Sequence, residues 1–84
     1  MENMSIPKSK NLAQLPIGEE AQVLSIEGDS PITKRLMEMG IIPGVSVKVI
    51  KTAPFGSPIE IRVRGYSLAL RRTEAETIEV KSKK

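Results

Sequence analysis

Carboxylates, lysine amines and guanidiniums are nearly all this chain offers for chemistry. None of its 84 residues is a histidine or a cysteine, so disulfides, thiolate and imidazole metal sites, and Ser-His or Cys-His nucleophilic pairs are excluded by composition. The hard ligands on offer are carboxylates such as Glu19, Glu20, Glu27, Asp29, Glu74, Glu76 and Glu79. Selecting one divalent ion takes a defined ligand geometry, which their scattered spacing does not specify, and they read as solvated surface. No acid-base pair or nucleophile stands out, and there is no Gly-rich phosphate loop. The chain is therefore read as a non-enzyme without a cofactor or metal site.

What remains is the chemistry of contact. In TAPFGSP, Phe55 lies between two prolines at an expected hairpin tip, where an exposed aromatic anchors a partner. Arg71 and Arg72, with Arg62 and Arg64, form an expected basic strip near Tyr66, suited to acidic protein groups or anionic headgroups. Met37 departs from the apolar stripe of its helix and is expected on the surface beside Arg35; methionine suits adaptable contacts. Phe55, Met37, Arg35, Tyr66, Arg71 and Arg72 are the partner-binding candidates.

The placement of charge narrows the partner. The net charge is +3, but the ends hold Lys8, Lys10, Lys81, Lys83 and Lys84 against Glu2, and residues 11–80 hold eight cations against nine anions. A nucleic-acid binder concentrates positive charge on a structured face, so nucleic acid is not expected. No apolar run approaches the roughly 18 residues of a spanning helix, and MENMSIPKSK lacks the apolar segment of a secretory signal. The expectation is a cytoplasmic protein with a disordered leader at 1–10, one domain at 11–80 and a basic tail at 81–84.

Those side chains have to be positioned by short elements. Leu12, Leu15 and Ile17 surround a Pro16-Ile17-Gly18 bend, expected as a turn laid over the core. Residues 20–27 alternate as a strand, with Ala21 and Val23 on one face and Leu24 and Ile26 on the other. Ser30 as N-cap and Pro31 at the first helical position start a helix of about nine residues, whose stripe is Ile32, Leu36 and Met39. In RLMEMGIIPG, residues 35–44, Gly40 is expected in the left-handed conformation, with Ile41 against Leu36 as in a Schellman ending. Ile42-Pro43-Gly44-Val45 then reads as a type II turn. Alternation at Val45–Val49, Ile59–Val63 and Tyr66–Leu70 predicts three more strands. Thr73 is expected to cap a single helical turn with Glu76 at the third position, and Thr77–Val80 closes as a fifth strand. The sum is mainly β: a small five-stranded barrel with one short helix between the first two strands, in which the helix and the N-terminal turn cover Leu24, Ile26 and Ile50.

Four stretches give that outline a family. L-x-x-L-P-x-G at Leu12–Gly18, R-L-x-E-M-G-I-x-P-G at Arg35–Gly44, P-I-E-I at Pro58–Ile61 and R-G-Y-x-L-A-L-R-R at Arg64–Arg72 resemble, in order and spacing, the FeoA family of small SH3-like barrels. The resemblance covers about residues 11–80. It implies an accessory protein that binds the cytoplasmic or G-domain region of the ferrous iron transporter FeoB and is peripheral to the membrane through that partner. Weak self-association is a further expectation. The same barrel ends some metal-dependent repressors, so the alternative is a regulatory protein-interaction module of that kind.

Overall fold

Alternating aliphatic and polar residues put one apolar face on each strand, and that face closes on itself. The structure is a computed structural model that describes residues 10–28 and 30–83. Its elements are β1 (Lys10–Asn11), a 3-10 turn (Leu12–Gln14), β2 (Glu20–Ile26), α1 (Pro31–Glu38), β3 (Ser46–Thr52), β4 (Ile59–Val63), β5 (Tyr66–Leu70), α2 (Arg72–Ala75) and β6 (Ile78–Ser82). All the strand pairs are antiparallel, in the order β1-β6-β2-β3-β4-β5. The expected small SH3-like barrel with one short helix is what forms. It is hydrogen-bonded as an open sheet, and it has a sixth strand because Lys10 and Asn11 pair with Val80 and Glu79.

The core is wholly aliphatic. Ala21, Val23, Val47, Val49, Ile59, Ile61, Val63, Leu70, Ile78 and Val80 are buried from the sheet, and Leu12, Leu15, Leu36, Ile41 and Ala75 close over them. Each fully buried Leu, Ile or Val contributes about 1.5–3 kcal/mol before the entropy of ordering is subtracted. The N-terminal turn does act as a plug through Leu12 and Leu15, while Ile17 stays exposed.

Two bulges change the expected faces. The β2–β6 register shifts between Val23 and Ser25, and the β3–β4 register shifts between Val49 and Lys51. Leu24 and Ile50 are thus the extra residues of bulges, which bend the strand and reset its alternation. The reset brings Ile26 onto the core, and Leu24 remains 40% exposed. Leu24 is therefore not under a helix, as strict alternation implied.

Both chain ends differ from expectation in extent. Of the expected leader, residues 1–9 lie outside the described residues, as do Asp29 and Lys84; Lys10 belongs to β1. At the other end β6 runs through Ser82, the Lys83 N–H donates to the Glu20 carbonyl at 3.1 Å, and Lys83 Nζ reaches Ser46 Oγ at 2.9 Å. Residues 81–83 are part of the fold because their backbone completes the β2–β6 ladder.

The helix-to-strand corner matches its sequence closely. Ser30 Oγ accepts from the Thr33 N–H at 3.4 Å, Pro31 opens the helix, and Met39 is the C-cap. The Ile41 N–H donates to the Leu36 carbonyl and the Gly40 N–H to the Met37 carbonyl, both at 3.0 Å, which is the hydrogen-bond pair of a Schellman motif. Gly40 has φ +100°, and Ile41 and Leu36 are both fully buried. Val45 N–H closes the following turn on the Ile42 carbonyl at 3.2 Å with Gly44 at φ +95°. The second helical turn starts two residues before the expected Thr73. Arg71 is its N-cap, and its third residue, Glu74, takes the Arg71 N–H at 2.8 Å. Glu76 instead pairs with Arg72.

The two glycines of the corner predict unequal losses. At Gly44 an added Cβ meets nothing, whereas at Gly40 it would collide with the Tyr66 hydroxyl. Gly44→Ala should cost about 1–2 kcal/mol from left-handed strain alone, a fall of roughly 5–15 °C in melting temperature for a domain of this size. Gly40→Ala should cost clearly more. Thermal unfolding followed by circular dichroism measures both, and equal losses would show that Tyr66 does not pack on the corner.

Candidate partner-binding surfaces

The β3–β4 connection is a short, internally bonded loop. The Gly56 N–H donates to the Ala53 carbonyl at 2.8 Å and the Ala53 N–H to the Pro58 carbonyl at 3.1 Å. Phe55 stands at its tip, 98% exposed. The loop rests on the start of α2: the Arg72 N–H donates to Ser57 Oγ at 3.2 Å, and a Cβ on Gly56 would lie 3.2 Å from Arg72 Nη1. Ser57, Pro58, Arg71, Arg72 and Thr73 line a shallow depression beside it. The loop that carries Phe55 thus meets Arg71 and Arg72, some fifteen residues further along the chain, at one end of the barrel.

The other candidates gather on α1, where the arrangement is different. Met37 and Ile42 are both partly exposed and, with Ser30, Thr33, Lys34 and Glu38, line an open apolar groove of about 490 Å³. Ile42 was not among the sequence candidates. The signal was there in the Ile41-Ile42 pair, because a chain leaving a capped helix cannot turn two successive side chains into one core. Tyr66 is 42% exposed, but its hydroxyl donates to the Met39 carbonyl, so it holds the end of α1. Arg35 Nη1 lies 3.6 Å from Glu74 Oε2 and links the same helix to α2.

Glu74 joins the two regions. It is 5% exposed, accepts the Arg71 N–H with one carboxylate oxygen and faces Arg35 with the other. Among the described residues no three Asp or Glu side chains come together to hold a metal ion, and no helix is long and apolar enough to cross a membrane.

A model of the FeoA domain matches residues 10–82, the span from β1 through β6. The chain belongs to the FeoA family. A Porphyromonas gingivalis protein described as an Fe(2+) transport protein A/Fe(2+) transporter FeoB fusion is 36% identical to this FeoA domain over 69 residues, 82% of the present chain and 8% of that protein. The chain therefore spans under a tenth of the length of that relative. The solution structure of a FeoA-like protein from Clostridium acetobutylicum is 35% identical, superposes with a TM-score of 0.86, and the match covers 94% of this chain and 92% of that one. A manganese-dependent transcriptional repressor superposes with a TM-score of 0.83 over 93% of this chain and 44% of its own, at 20% identity; that likeness shows the fold alone.

The junction at Glu74 of this FeoA domain has a measurable asymmetry. Glu74→Ala strips the part-buried Arg71 N–H of its acceptor and should cost about 1–3 kcal/mol. The Arg35 side chain is 65% exposed, so Arg35→Ala should cost less than about 1 kcal/mol. Urea midpoints of the two variants test this, and equal losses would assign the stabilisation to the ion pair instead of the buried cap.

Proposed function

We propose that this FeoA domain is a cytoplasmic accessory protein, without catalysis of its own, that docks on a FeoB-type ferrous iron transporter and supports or regulates Fe(II) transport. The observation that supports this most directly is the relative in which a matching segment is joined to FeoB in one chain. Covalent linkage holds two modules at an effective concentration of about millimolar for a short flexible linker, an arrangement suited to modules that act on one another. Regulation of the transporter by docking requires that the domain bind two of its states unequally.

For the docking face we propose the groove of Met37 and Ile42. It is concave and apolar, and its wall is held in place by the Arg35–Glu74 pair and the Tyr66 hydroxyl, so little ordering is needed on binding. Methionine can repack against a partner segment, and the Lys34 and Glu38 rim gives polar registration. Calorimetric titration of the chain with the cytoplasmic region of its FeoB-type partner tests the reading. Met37→Glu and Ile42→Glu should each weaken binding by about tenfold or more with an unchanged circular dichroism spectrum. Unchanged affinity would reject the groove, and failure of the unaltered chain to bind either that region or the full-length transporter would reject the function.

A further inference from the structure

The exposed end of the β3–β4 loop has a chemistry that protein docking at α1 does not use. Phe55 is 98% exposed, whereas the other large apolar side chains exposed among the described residues lie between 37% and 61%. Each of those others is at least a third covered. Phe55 projects from the surface, and the depression next to the loop is lined by Ser57, Pro58, Arg71, Arg72 and Thr73 without it. A protein hot spot works by fitting side chains into packed, desolvated pockets on both partners. A lone projecting ring suits a medium that deforms around it, and the boundary of headgroups and acyl chains does so, taking aromatic rings at that depth.

The charges around the ring give the sign of that medium. Arg71 is exposed, and among the described residues its guanidinium has no carboxylate within ion-pair distance. Arg72 lies over Gly56 and pairs with Glu76 at 3.3 Å, and Lys51, at the end of β3, is 3.9 Å from Glu60. Glu60 and Glu76 thus offset two of the three cations. Arg71 is left as the uncompensated charge beside Phe55. The loop needs little ordering to present them, since Ala53, Gly56, Pro58 and Ser57 are tied by hydrogen bonds within the loop and to the Arg72 N–H.

We infer that Phe55 and Arg71 form a peripheral site for an anionic lipid surface, with the ring at the headgroup boundary and the guanidinium on lipid phosphates. One ring and one free cation make a weak anchor by themselves, since a single modest membrane signal binds only marginally. The site orients a domain brought to the membrane by another contact. It does not rest on the docking proposal, because the binding it predicts is read with vesicles alone.

The chain has no tryptophan, so F55W places a single indole reporter at the tip. With vesicles of phosphatidylcholine containing about a third phosphatidylglycerol, F55W emission should shift to the blue and become shielded from aqueous quenchers at about millimolar lipid. The shift should be absent with phosphatidylcholine alone. It should fall about fivefold or more on adding Arg71→Glu, and disappear in about 0.5 M salt, where screening shortens to a few ångströms. Sedimentation of the unaltered chain with the same vesicles, and its loss in Phe55→Ser, gives a second measurement with the native ring. No shift and no sedimentation with the anionic vesicles would overturn the inference. So would equal shifts with both vesicle types, or a shift that appears only when the soluble region of the transporter is added, which would assign the ring to a protein.

Discussion

A left-handed residue at position 40 ends the helix and turns the chain into the core, so that β3 can begin six residues later at Ser46. With Gly40 at φ +100°, the chain places the Ile41 side chain in the core and leaves the Met39 carbonyl turned toward Tyr66. The Tyr66 hydroxyl fills the space that a Cβ would occupy. An eight-residue helix is too short to persist alone. Its stability comes from this ending and from the buried Leu36, and the exposed Arg35 reaching Glu74 adds little. The groove of Met37 and Ile42 is a by-product of the same corner: one isoleucine enters the core, so its neighbour is turned outward.

The domain thus presents two surfaces with different demands. At α1 the wall is concave, apolar and fastened at both ends, which suits a protein segment. At the β3–β4 loop the feature is convex, with one bare aromatic ring near a guanidinium that meets no carboxylate among the described residues. Glu74 lies between them in the structure, accepting a hydrogen bond from the residue that begins α2 and facing a cation from α1. If the domain docks on a membrane transporter as proposed, it has use for both kinds of contact, one to select the partner and one to set its tilt.

Local chemistry made much of this legible in the sequence. The N-cap at Ser30, the proline after it, the glycine ending and the Pro43-Gly44 turn each depend on residues within a few positions, and each forms as read. The strands were also legible, because Val and Ile alternate. The bulges at Leu24 and Ile50 were not: an extra residue is defined by its partner strand, which no periodicity in one segment reveals. Strict alternation therefore placed Ile26 outside, whereas it packs on the core. The capping turn at Arg71 was missed for a similar reason. Thr73 and Glu76 fit the local pattern equally well, but Glu74 is the carboxylate that the fold buries. Of the candidate surface residues, Phe55 stands free as expected, while Arg35 and Tyr66 are partly occupied in holding α1, a role set by long-range contacts.

The most direct measurement is a chemical-shift map of the isotope-labelled chain titrated with the cytoplasmic region of a FeoB-type transporter, the proposed partner. Docking at α1 predicts that the largest changes cluster on residues 30–42, with Met37 and Ile42 among them, and that residues 53–58 change little without a membrane present. Changes confined to the 53–58 loop, or none at all at saturating partner, would contradict it.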